Sequence, residues 1–255
     1  MSTSKERKLT RFLNLHTPGT VCLASRLEEI GISRDLQKRY RRSGWLESVG
    51  KGAFKRPAED VSWQGGLYAL QSQAKLPIHA GAMTALTLQG LAHYARTGSA
   101  TLDLFSPPKT ILPAWFKNHD WKHRIRHVRT SMLTTSLGFT DHRETTFGIR
   151  ISAPERAMLE CLYLSPDEMD LVECFHVMEG LANLRPKLVQ ELLQACSSVK
   201  SKRLFLYLAE KANHQWRPLI DTAHIDVGEG HRRLVRDGTY VAKYQLTVPD
   251  SLAAL

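Results

Sequence analysis

Apolar positions recur with helical spacing from the start of the chain. Leu9, Phe12 and Leu13 fall at i, i+3 and i+4 and predict a helix over 5–15. Thr17-Pro18-Gly19 ends it. Leu23, Leu27 and Ile30 repeat at i, i+4 and i+7 and predict a second helix, closed by Gly31 as a C-terminal cap. Ser33 is a suitable N-cap for a third helix over 34–43, which stops at Gly44. Residues 45–49 and 53–56 then read as two short strands around Gly50-Lys51-Gly52, halted by Pro57. Three helices with a glycine turn between the second and third, followed by a hairpin, is the plan of a winged helix-turn-helix.

On the third helix, Leu36 and Tyr40 lie within roughly 40° of each other at about 100° per residue and form its buried stripe. Arg34, Lys38, Arg41 and Arg42 then cluster on the opposite side, with Gln37 and Arg39 flanking. Such a face suits a major groove: Arg makes paired contacts to guanine, Gln to adenine, and Lys neutralises phosphate. Lys51 in the glycine turn, and Lys55 and Arg56 on the returning strand, would meet the flanking backbone or the minor groove. The expected DNA-binding set is therefore Arg34, Gln37, Lys38, Arg41, Arg42, Lys51, Lys55 and Arg56.

Residues 57–62 read as a short linker, dividing a DNA-binding domain at 1–60 from a second domain at 61–255. In the second domain, helices are predicted over 63–74, 78–90, 154–163, 171–181, 186–196 and 202–212. Strands are predicted over 102–105, 110–113, 125–129, 147–151 and 240–248. The expected fold class is α+β, an N-terminal winged helix-turn-helix followed by a larger mixed α+β domain.

Charge sharpens this picture. The 255 residues carry 35 Lys plus Arg against 25 Asp plus Glu, a net +10 that points to an acidic partner such as nucleic acid. Residues 32–56 hold 8 basic and 2 acidic side chains, whereas 155–195 hold 3 basic and 8 acidic. The second stretch predicts acidic helices suited to a protein contact. A smaller basic run at 117–129 includes Lys122, Arg124, Arg126 and Arg129, which read as further cationic surface.

Other chemistries find little support. No apolar run reaches membrane-spanning length, and the first residues lack the apolar core of a signal peptide, so a cytoplasmic protein is expected. Cys22, Cys161, Cys174 and Cys196 form no CxxC pair and read as reduced thiols. His119, His123 and His127 would span some 25 Å on a strand at roughly 3.3 Å per residue, too far for one metal. Glu155 suits the first turn of a helix, and Arg156 can pair with a carboxylate, so both read as structural. No phosphate-binding loop, nucleophile elbow or zinc-protease motif is present, so no enzyme, cofactor or metal is expected.

Several strings resemble one family. Leu27-x-x-Ile30-Gly31-Ile32-Ser33, Gly44-Trp45-Leu46 and Gly50-Lys51-Gly52-Ala53-Phe54 are similar to the N-terminal domain of AbiEi-type antitoxins. Leu76-Pro77-Ile78-His79-Ala80-Gly81, Ile149-x-Ile151-Ser152-x-Pro154-Glu155-Arg156-Ala157 and Gly238-Thr239-Tyr240 are similar to the C-terminal domain of one of its subfamilies. The resemblance implies an antitoxin of a type IV toxin–antitoxin, or abortive-infection, system. Such a protein represses its own operon by binding operator DNA and counteracts a co-encoded nucleotidyltransferase-like toxin without requiring a stable complex. The absence of any heptad seam predicts a monomer that loads cooperatively onto inverted repeats. The alternative is a stand-alone winged-helix regulator whose second domain senses a ligand or dimerises.

Overall fold

The first helix, α1 (Ser2–Leu15), buries Phe12 and half-buries Leu13 at the expected spacing. The computed structural model describes residues 2–92 and 101–255; within α1 it describes the side chains of Lys8 and of Thr10 onward, so the expectation for Leu9 lies outside the described residues. There follow β1 (Cys22–Leu23), α2 (Ala24–Glu29), α3 (Arg34–Arg42), β2 (Glu47–Gly50) and β3 (Ala53–Lys55). The three strands form one antiparallel sheet in the order β1-β3-β2.

This small sheet serves two cores at once. Cys22 lies opposite Phe54, and both join Phe12, Leu27, Ile32, Leu36 and Tyr40 beneath the helices. Leu23 lies opposite Ala53, and these two face the other way, into the large core of the rest of the chain. The period-2 alternation of a strand is the reason: consecutive side chains must leave opposite faces. The 57–62 stretch is correspondingly tied down. Glu59 accepts a hydrogen bond from the Gly19 amide at 3.4 Å, meets His16 Nε2 at 3.2 Å and pairs with Arg56 at 3.3 Å.

Next come α4 (Trp63–Tyr68), which continues as a π-helical turn over Ala69–Gln73, then β4 (His79–Ala80) and α5 (Ala82–Leu88). The helix expected over 78–90 thus starts four residues late. His79 and Ala80 instead enter the sheet, pairing with Phe105 and with Ile151. Gly81 permits this turn: a Cβ there would stand 2.2 Å from Glu160 Oε2. Then follow β5 (Thr101–Ser106), α6 (Ala114–Asn118), β6 (Arg124–Arg129), β7 (Phe139–Arg143) and β8 (Gly148–Ser152). The second, mixed sheet has the order β6-β5-β4-β8-β7. Residues 110–113, expected as a strand, form no ladder and lead into α6, with Pro113 extended just before its first turn.

Helices α7 (Pro154–Leu164), α8 (Leu171–Gly180), α9 (Pro186–Ala195) and α10 (Val199–Lys211) complete the core, with α7 packed against both α5 and α10. Pro154 and Pro186 each occupy the first turn of their helix, where the missing N–H has no helical partner to lose. Last are β9 (Arg232–Arg233), β10 (Thr239–Val241), β11 (Leu246–Val248) and α11 (Asp250–Ala254). The single strand expected over 240–248 is a hairpin instead, folded back at Gln245 with φ +50°.

Candidate nucleic-acid interface

Two successive glycine caps place α3. After α2, the Ile32 amide reaches back to the Leu27 carbonyl at 2.8 Å and Gly31 takes φ +88°. After α3, the Trp45 amide does the same to Tyr40 at 2.8 Å, with Gly44 at φ +74°. Both are left-handed helix ends, which glycine adopts without a steric cost. Ser33 stands at the expected N-cap position but makes no side-chain cap bond.

Leu36 and Tyr40 are buried against α1 and α2 as their spacing requires. Arg34, Lys38, Arg39, Arg41 and Arg42 are exposed. Only Asp35 offsets them within the helix. Arg34 Nε donates to Glu28 Oε1 at 2.7 Å, yet four-fifths of the side chain remains open to solvent, so this is a weak, screened tether. The Arg41 guanidinium stands 5.9 Å over the Phe54 ring. Lys51 is exposed at the tip of the β2–β3 turn.

Three expected residues stand elsewhere. Gln37 is 4% exposed, and its amide nitrogen donates to the carbonyls of Ala24 at 3.1 Å and Ile32 at 3.0 Å. It locks α3 onto α2, because its position adjoins the Leu36 stripe more closely than the open face. Lys55 is half-buried between the Glu59 carbonyl at 3.2 Å and the Glu47 carboxylate at 3.5 Å. Arg56 is held by Glu59. Conversely, Trp45 is 47% exposed directly after the basic helix, a flat aromatic surface that the strand pattern alone did not single out.

The second basic run is compensated at two positions. Arg126 donates to the buried Asp103 at 2.6 Å and to Glu168 at 3.2 Å, and Lys122 pairs with Asp120, leaving Arg124 and Arg129 exposed. His127 meets Ser106 Oγ at 2.8 Å, whereas the His119 ring packs on Trp121. Burial, with Arg129 nearby, holds the His127 imidazole below its ordinary value.

The acidic helices are also less acidic outside than their sequence suggests. Glu155 is buried under a two-pronged contact from Arg185, at 2.9 and 3.0 Å. Glu160, 1% exposed, receives His79, Arg156, Ser152 and the Ala82 amide. Burial pushes the Glu160 carboxyl upward, but His79 and Arg156 more than offset it and hold the group below its ordinary value. Desolvation is likewise outweighed at Glu155, by Arg185.

A small basic helical unit joined to a larger mixed domain is the architecture of a two-part regulator. Residues 5–97 match the family described as "transcriptional regulator, AbiEi antitoxin N-terminal domain", and residues 99–249 match "transcriptional regulator, AbiEi antitoxin, Type IV TA system". The chain belongs to this AbiEi antitoxin family. Among solved structures it is similar to the RV2827C protein from Mycobacterium tuberculosis, at 16% identity and a TM-score of 0.58, over 96% of this chain and 90% of that one. That likeness concerns the fold alone. No curated protein sequence matches the chain.

Proposed function

We propose that residues 1–60 act as a winged helix-turn-helix that lays α3 in the major groove of operator DNA and represses the protein's own operon. The larger domain, 61–255, counteracts a nucleotidyltransferase-like toxin encoded beside it, without a stable complex. The supporting observation is α3 itself: five exposed cations on one side, and Leu36, Gln37 and Tyr40 closing the other. Arg34, Lys38, Arg41 and Arg42 are the base- and phosphate-facing residues in this reading, with Lys51 on the flanking backbone. The protein works in the cytoplasm and carries out no catalysis.

Arg34→Ala, Lys38→Ala and Arg41→Ala combined in the full chain should abolish repression of a promoter reporter. The same variant should still relieve growth arrest when the neighbouring gene is co-expressed. Loss of rescue in a folded, equally abundant variant would show that neutralisation runs through DNA binding, and the two-part reading would fall. A stand-alone regulator with a ligand-sensing second domain is the second reading, favoured by a cavity of about 690 Å³ in the larger domain. Normal growth on expression of the neighbouring gene alone would favour it.

A further inference from the structure

That cavity lies between residues 68–79, the ends of β5 and β8, and the loop 130–136. No residue of α3 or of the β2–β3 turn lines it. Its volume falls in the range of small-molecule sites and is far larger than an inorganic ion needs.

The floor is already saturated. Glu160 Oε1 takes His79 Nε2 at 2.9 Å and Arg156 Nε at 3.0 Å; Oε2 takes Ser152 Oγ at 2.7 Å and the Ala82 amide at 3.0 Å. The remaining Arg156 nitrogens donate to the carbonyls of Leu133, Thr135 and Leu137. This network fixes the loop and compensates its own charge, so it offers a rigid base and not a binding group.

The rim is different. Lys75 and Arg150 line the same space, both are exposed, and neither side chain has a carboxylate or hydrogen-bond partner among the described residues. Arg150 is steadied by its stand 5.4 Å over the Phe139 ring. Tyr68 supplies a partly exposed aromatic ring to the lining, while Phe105 is buried and stacked on His79. Asp141, opposite Arg150 in the β7–β8 register, is an exposed acceptor at the edge. Exposed cations without a direct ion pair, beside an aromatic ring and one carboxylate able to accept from hydroxyls, match an anion carrying a planar body and a sugar.

We propose that this cavity binds a nucleoside phosphate, with the phosphates against Lys75 and Arg150, the base along Tyr68, and a ribose hydroxyl on Asp141. The test is calorimetric titration of the full chain with the four ribonucleoside monophosphates and their triphosphates, with adenosine and inorganic phosphate as separate arms. One nucleotide class should bind at one site per chain, at least about tenfold tighter than either separate arm, a difference of ~1.4 kcal/mol. Lys75→Ala with Arg150→Ala should weaken binding at least about tenfold without altering the melting temperature, since both side chains are exposed. The α3 triple variant should bind nucleotide as the parent does. The proposal is overturned if no nucleotide binds, if inorganic phosphate binds equally well, or if binding survives the rim variant and is lost in the α3 variant. The last result would place the nucleotide on the DNA-reading helix.

Discussion

Residues on the two faces of α3 should respond to substitution in opposite ways. Arg34 and Arg41 are open to solvent, whereas Gln37 donates twice into the α2–α3 turn. Arg34→Ala or Arg41→Ala should cost about 1–3 kcal/mol in operator binding and relax base preference, with stability unchanged. Lys51→Ala should weaken all sequences alike and flatten the salt dependence, as loss of a phosphate contact does. Gln37→Ala should instead cost about 1–3 kcal/mol of folding stability, through the loss of one buried and one part-buried hydrogen bond. Gel shifts at several salt concentrations, beside thermal melts, separate these outcomes. Unchanged binding in all the cationic variants would remove α3 from the interface.

At the scale of elements, the Glu160 hub joins β4, β8, α5 and α7. Its pKa lies below the ordinary glutamate value of 4.5 in the folded chain, as does that of Glu155. A carboxyl depressed by folding contributes stability that is complete above its unfolded value and is lost as pH falls through the folded one. The contribution of these two carboxyls should therefore be level above about pH 5 and fall in more acidic solution, whereas His16 and His127, both held below the ordinary 6.5, already begin to lower the melting temperature as pH drops below that value. Glu160→Gln should lower stability at neutral pH by about 3–5 kcal/mol, because the Arg156 charge stays buried without its partner. It should also shrink the acid slope. Calorimetry between neutral and acid pH measures both. A slope identical to the parent's would mean that other carboxyls carry the acid response.

A second structural device grips the small unit. Gln73, at the end of the π-helical turn, accepts from the Leu23 amide and donates to the Val21 carbonyl, both at 2.8 Å. Gln73→Ala should lower the melting temperature by a few degrees, the effect of roughly 1–2 kcal/mol in a chain of this size. Amide exchange should then quicken at β1. Equal protection of β1 in the variant would show that the shared apolar core suffices.

For the whole molecule, the question is assembly. The longest helices among the described residues, α1 and α10, have 14 and 13 residues, about two heptads, and α10 is buried along most of its length. A lasting coiled-coil dimer needs three to four heptads. Light scattering should therefore give a monomer without DNA, and footprinting should show cooperative filling of two inverted half-sites on the operator. A stable dimer in the absence of DNA would refute the first expectation.

Local chemistry made much of this protein legible before any coordinates. Apolar spacing marked α1 and the helices from α7 to α10, and Gly31 and Gly44 marked the ends of α2 and α3, because those features depend only on neighbours along the chain. The side of α3 that carries its cations was equally plain from angle alone. Tertiary structure decided what depends on distant partners. Gln37 looked like a reader of bases until the Ala24 and Ile32 carbonyls claimed its amide. His79 and Ala80 carried a helical pattern, yet joined a strand once Phe105 and Ile151 stood beside them. Glu160 and His79 are 81 positions apart and meet only because β4 and α7 pack together. The rim of the cavity was invisible for the same reason: Lys75 and Arg150 share a space that no spacing rule connects, since pairing between remote segments is set by the closing of the core.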